Sequence, residues 1–215
     1  MEIVSVNVGI PQSIIYQGKE LETGIYKSQV SSSLRLTKTQ LEGDGQADLV
    51  NHGGPDKAIC VYAKEHFAYW ESKLGCELHP GAFGENLTVT GLLEDVVCIG
   101  DIFQIGDAVV QVSQPRQPCH KLAKRYDVQD LPVQVQNTGF TGYYFRVLKE
   151  GNIPAQPTIR LTQKDPAGIT VANANQIKYH DKANAEGIRS ILAVEALSQS
   201  WRQSFEKRLS ELETC

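Results

Sequence analysis

Cys119 lies between Pro118 and His120 in the stretch QPRQPCHKLAKRYD, with Arg116, Lys121, Lys124 and Arg125 close by in the chain. A thiolate is the form of cysteine that attacks electrophiles and binds soft metals. Neighbouring cations and a helix N-terminus both favour it over the thiol. Pro118 suits a helix entrance and CHKLAKRY contains no helix breaker, so the spacing predicts a short helix starting near Cys119. Three roles are open to this cysteine: metal ligand, nucleophile, or inert buried thiol. Its cationic surroundings favour the first two.

Four other stretches carry polar residues beside glycine. NHGGPDK (51–57) combines His52, Asp56 and Lys57 with Gly53 and Gly54, which let a backbone approach an anion closely. The same Gly-Gly-Pro also makes an ordinary turn. In GAFGENLTVTGL, Asn86 could hydrogen-bond the edge of a heterocycle or simply close a turn. In TGIYKS, Lys27 and Ser28 could reach an anion, although composition alone makes Lys27 a solvated surface lysine. Arg146 stands in the aromatic run GYYFRV and needs a carboxylate or bound anion there, unless it faces outward. His66, His79 and His180 have no clustered partners and read as solvated or structural.

The rest of the chain limits what these residues can do. The sequence has 25 acidic against 21 basic residues, which argues against a nucleic-acid partner and against an anionic membrane surface. The five cysteines include no CxxC pair, so neither a disulfide framework nor zinc-ligand spacing is present, and a reducing cytoplasm is the expected location. The N-terminal MEIVSVNVGIPQ reads as a strand rather than a signal peptide, and no apolar run approaches the ~20 residues of a membrane span. GxSxG, GK[ST], HExxH and GxGxxG are all absent.

The elements that must position these residues fall into two groups. Up to about residue 166 the chain alternates short β-rich runs with glycine turns, which predicts a barrel or strongly curved sheet. DIFQIGDAVVQVSQP is the strongest local pattern, two strands joined at Gly106-Asp107. KEHFAYWESKLG spaces Phe67, Trp70 and Leu74 as a helix, with Gly75 placed to end it. From residue 167 to 215, ANANQIKYHD, NAEGIRSILAVEAL and SQSWRQSFEKRLSEL predict three helices, the last with Trp201, Phe205, Leu209 and Leu212 on one stripe. The expected organisation is therefore a 1–166 domain and a 167–215 helical unit.

Taken in order, DLVNHGGPDKAICVYA, GAFGENLT, GDIFQIGDAVVQVSQPRQPCHKLAKR and TGYYFRVLKEGNI resemble the MOSC domain. With YHDKANAEGIRSILAVEALSQSWRQSFEKRL added, the chain resembles the YiiM-type members of that family over nearly its whole length. The resemblance implies an α/β, mainly β fold: a MOSC-type β-barrel domain with flanking helices and a small C-terminal three-helix unit. It also implies the molybdenum cofactor, a molybdopterin, with Cys119 as the protein ligand of the metal. Lys27 matches a lysine position that contacts the cofactor in related proteins. His52, Gly53, Gly54 and Asp56 would line the pocket, with Ser28, Asn86, Arg116 and Arg146 as further candidates. The implied activity is reduction and detoxification of N-hydroxylated compounds such as 6-hydroxylaminopurine. Electrons would come from a separate flavin-containing reductase, and His52 or Asp56 would donate the proton. The alternatives are a carrier of sulfur as a Cys119 persulfide or of the cofactor itself, and an interaction protein that docks through its helical tail.

Overall fold

The structure, a computed structural model, describes residues 1–16, 18–47 and 53–214. His52 lies outside the described residues. The first strands are β1 (Glu2–Val8), β2 (Gln12–Tyr16), β3 (Lys19–Thr23), β4 (Ser28–Gln29) and β5 (Leu34–Leu36). After a 3₁₀ turn at Pro55–Lys57 come β6 (Ile59–Ala63), α1 (Phe67–Leu74), β7 (Leu87–Thr90), β8 (Ile102–Ile105) and β9 (Ala108–Pro115). Next are α2 (His120–Tyr126), α3 (Leu131–Thr138), β10 (Tyr143–Lys149), β11 (Gly151–Ile153) and β12 (Ile159–Gln163). The C-terminal part contains α4 (Val171–Asn175), a π turn (Gln176–His180), α5 (Ala185–Leu192) and α6 (Gln199–Glu213).

Eight strands form one curved sheet in the order β12-β8-β9-β10-β6-β7-β1-β4, and β5 pairs with β11 separately. Neighbours in the sheet are antiparallel except β6 and β7. The β8–β9 hairpin turns at Gly106-Asp107, as its sequence predicts, with Gly106 at φ 56.

Strand alternation decides what each face of the sheet does. Ile59 and Val61 of β6, with Tyr143, Phe145 and Val147 of β10, point into the main core alongside Val110, Val112 and Phe103. Leu36 and Ile153 from the β5–β11 pair join the same core. The intervening residues face the other way. Tyr62 enters a second core beneath the helices, with Phe67, Trp70, Phe83, Leu122, Leu131 and Val135. Cys60 and Tyr144 sit directly opposite each other across β6 and β10, on that same outer face.

A third core belongs to the C-terminal helices, where Ile188, Ile191, Trp201 and Phe205 pack with Ile99 from the sheet region. Leu209 and Leu212 complete the α6 stripe as partly buried neighbours. The first of the three predicted helices is shorter than expected and continues as the π turn. Helix α3 was not expected: its VQVQ alternates like a strand, yet Leu131 and Val135 are buried while Val133 is 52% exposed, a helical pattern.

Candidate active-site cleft

Cys119 is the N-cap of α2 and has extended backbone (φ −120°, ψ 167°), so the predicted helix begins at the residue after it. The helix ends at Asp127, in the left-handed conformation at φ 52. Two side chains of α2 fix it to the glycine loops. Arg125 donates to the carbonyls of Ile25 (2.7 Å) and Gly81 (2.9 Å), and the Tyr126 hydroxyl donates to Ala82 O (2.8 Å). Those loops touch backbone to backbone: a Cβ on Gly81 would stand 2.9 Å from Lys27 O, at a positive φ of 87. The glycine permits the approach, and the buried Glu85 holds the turn by accepting from Gly81 N (2.7 Å) and Phe83 N (2.9 Å). Burial raises the carboxyl pKa of Glu85, and these donors oppose the rise.

The half-buried Cys119 thus opens on a cleft of about 570 Å³ including its open mouth, framed by the two glycine loops, β6, β10 and the start of α2. Among the described residues, Lys27, Lys57, Arg116 and Lys121 line it against one carboxylate, Asp44. Cys60 and Tyr144 form part of its floor, and burial dominates the shift of both groups. The Cys60 thiol is pushed up to about 11, and the Tyr144 phenol is raised as well, so both keep their protons.

Arg116 is 6% exposed, and its Nη1 has no hydrogen-bond partner. Desolvation alone would lower its pKa, but Cys60, Tyr144, Cys119 and Glu85 together raise it, so the guanidinium stays charged. A buried, charged donor with nothing to bind is costly to keep in the fold.

Lys27 is not the solvated lysine its composition suggests. Its side chain is 6% exposed and pairs with Asp44 Oδ1, whose carboxylate also accepts from Gly9 N (3.0 Å) and Asn86 Nδ2 (2.8 Å). Asn86 lines the cleft too, but its amide braces the wall. It accepts from Cys60 N at 3.0 Å and donates to Asn7 O at 3.2 Å.

Other expected residues lie elsewhere. Asp56 and Arg146 do not line this cleft. The Asp56 carboxylate meets Arg146 Nη2 at 2.7 Å and Nε at 3.0 Å, and accepts from Gln199 N at 3.2 Å. Gly53 is buried, Gly54 is half-buried at φ 93, and Ser28 is exposed, and none of the three lines the cleft. His66, expected to be solvated or structural, is 4% exposed and pairs with the buried Glu94 at 2.7 Å.

The sequence gives no sign of Asp44 or Tyr144, and it presents Cys60 only as a structural thiol in an apolar strand. Cys60 and Tyr144 could have been found from strand alternation once β6 and β10 were paired. Lys57 and Lys121 lie within the two quoted motifs, but only the fold shows that they share one cleft. Among the described residues, no group of three or more His, Cys, Asp and Glu side chains could hold a metal ion unaided. Among the described residues, no helix is long and apolar enough to cross a membrane.

Comparison with known proteins agrees with this architecture. Residues 48–160 match the MOSC domain, and residues 169–212 match the YiiM-like 3-alpha helix domain. YflK of Bacillus subtilis (strain 168) is 53% identical over 210 residues, spanning 98% of this chain and 95% of that protein. The crystal structure of YiiM from Geobacillus stearothermophilus superposes with a TM-score of 0.83 at 43% identity, over 97% of this chain and 98% of that one. A protein of Gibberella moniliformis (strain M3125 / FGSC 7600) named "Reductase" is 35% identical over 164 residues, or 74% of this chain but 29% of that longer protein. The chain belongs to the MOSC family and is of its YiiM type, a family linked to binding of the molybdenum cofactor.

Proposed function

We propose that this MOSC-family chain holds the molybdenum cofactor in the Cys119 cleft and reduces N-hydroxylated compounds such as 6-hydroxylaminopurine. The observation that carries this reading is the half-buried Cys119 thiol, which shares one cleft with the buried, charged Arg116 and three lysines. A molybdopterin fits this donor set. It brings its own dithiolene sulfurs to the metal, so the protein needs to supply only one soft ligand, and its phosphate tail needs cations.

In this reading the Cys119 thiolate binds the metal. Burial pushes the Cys60 thiol up to about 11, which disfavours it as a ligand. Arg116 and Lys121 hold the phosphate, while Asp44 and Asn86 fix Lys27 in the wall. Once bound, the cofactor supplies the two-electron reduction of the N–OH group. Tyr144 keeps its phenolic proton on the cleft floor, where a proton is needed as water leaves. His52 retains a proposed role as proton donor, while Asp56 is engaged by Arg146 and Gln199.

Electrons come from a separate flavin-containing reductase in the cytoplasm. The fungal protein named "Reductase", most of whose length lies outside the matched region, supports a redox setting for the domain.

The test is metal and pterin analysis of the protein purified from a molybdate-supplied host, beside Cys119→Ala. The wild type should carry about one molybdenum per chain and reduce 6-hydroxylaminopurine with an artificial electron donor, and the variant should lose both. A variant that retained a full, active molybdenum complement would remove Cys119 from the site. A persulfide mass on the Cys119 peptide without metal would make the chain a sulfur carrier instead.

A further inference from the structure

Three consecutive residues at the start of α6 are tied to the segments that build the Cys119 cleft. Ser198, the N-cap, donates its amide to Ser113 O at 3.0 Å. The Gln199 amide donates to Asp56 Oδ2 at 3.2 Å, and the Ser200 hydroxyl donates to Gln114 Oε1 at 3.2 Å. The helix is anchored in the third core by the buried Trp201 and Phe205, so its first turn is a fixed post behind the cleft.

Gln114 carries this attachment furthest toward the site. It is buried and stands opposite Tyr144, which itself stands opposite Cys60. One row across β9, β10 and β6 therefore runs from α6 to the cleft floor. While its Oε1 takes the Ser200 proton, its Nε2 donates to Pro115 O at 3.1 Å.

Pro115 ends β9, and the loop from Arg116 leads to Cys119. The peptide unit joining Pro115 to Arg116 is held at both of its polar groups. Its carbonyl accepts from Gln114, and its N–H donates to Gly142 O at 3.0 Å. Reacting groups keep their geometry when the groups behind them are locked by packing and hydrogen bonds.

We propose that Gln114 is a positioning residue. Through it the C-terminal helices set the direction in which the chain leaves β9, and so the place of Arg116 and Cys119 in the cleft. The use made of that placement rests on the proposed function, whereas the link itself needs no cofactor.

The full chain, purified from a host that makes no molybdenum cofactor, is treated with iodoacetamide, and labelling of Cys76, Cys98 and Cys119 is followed by peptide mass spectrometry. The exposed Cys76 reports the reagent, and the buried Cys98, which does not line the cleft, reports unfolding. Gln114→Ala and Ser200→Ala each speed labelling of Cys119 about three- to tenfold, the worth of one neutral hydrogen bond, with Cys98 unchanged. Ser200 is exposed, so its variant tests the link without emptying a buried position. Ser200→Thr keeps the hydroxyl and labels like wild type. The double alanine variant is no faster than Gln114→Ala, because both changes act on one link. Four outcomes overturn the proposal: wild-type rates at Cys119 in both alanine variants, a matching rise at Cys98 in Ser200→Ala, additive effects in the double variant, or Ser200→Thr behaving like Ser200→Ala. A chain that takes up no molybdenum from a supplied host would end the proposed function without moving these rates.

Discussion

The Arg116 amide donates to the Gly142 carbonyl at 3.0 Å, while the Gly142 amide donates to the buried Glu94 at 2.8 Å. One residue therefore ties the cationic cleft to the buried His66–Glu94 pair. Gly142 is at φ 68, and a Cβ there would stand 2.3 Å from Val61 O. Gly142→Ala is expected to cost about 2 kcal/mol or more in urea denaturation, from the left-handed backbone together with the backbone clash. A stability equal to wild type would contradict this geometry.

Arg116 is expected to separate binding from stability. Arg116→Met removes a buried charge with an unmet donor, so the cofactor-free protein should keep its stability or gain about 1 kcal/mol. Retention of a phosphate-bearing pterin should fall by about 10- to 100-fold, the worth of a charge-assisted hydrogen bond. Thermal unfolding of the apo protein and pterin release measured by fluorescence check the two halves separately.

The Lys27–Asp44 pair should behave as a buried ion pair, since its side chains are 6% and 1% exposed. Asp44→Ala strands the lysine and removes the acceptor for Gly9 N and Asn86 Nδ2, for a loss of about 3–5 kcal/mol. A double-mutant cycle with Lys27→Met should show strong coupling. Additive losses would mean that the two side chains act independently.

By contrast, the Asp56–Arg146 pair is partly solvated, with side chains 28% and 21% exposed. Asp56→Ala should cost about 1 kcal/mol and leave molybdenum content unchanged. A loss of metal in this variant would bring Asp56 itself back into the site.

Lys178 sets a pH dependence in the C-terminal helices. Desolvation first, then Arg208, lowers its pKa from 10.5 to about 8, despite the faces of Trp201 and Phe205 at 5.2 Å, which favour the ammonium. Between about pH 8 and 10.5 the unfolded chain therefore binds the extra proton, so this group makes stability rise with pH across that window. The contribution is at most about 3 kcal/mol. Denaturation midpoints from pH 7 to 10 should rise less steeply in Lys178→Met.

Much of this was legible in the chain because the signals were local. Gly106-Asp107 forces its hairpin, Gly75 ends α1, and Pro118 with Cys119 opens α2 where the sequence places them. Helix α3 was hidden because Val133 and Val135 mimic a strand, and only the packing of Leu131 and Val135 against the second core reveals the helical spacing. The site was half legible. Cys119 and Arg116 announce themselves through neighbouring residues, whereas Asp44 and Tyr144 reach the cleft only through strand pairing and loop contacts that no short window contains. Asp56 and Arg146, read as separate candidates, satisfy each other, a partnership between residues 90 positions apart.

The facing of Cys60 and Tyr144 across β6 and β10 bears on how the protein matures. These partners are more than eighty residues apart, and the ladder that joins them also sorts Ile59, Val61, Tyr143 and Phe145 into the core. Closing so long a loop is slow compared with forming the local helices and hairpins. The cleft floor can therefore exist only after the sheet has found its register. A slip of one residue would send the apolar set outward and leave no floor at all. Under the proposed function, cofactor loading would be a late event that samples only correctly assembled chains, and the fraction of loaded protein would report how faithfully that ladder has formed.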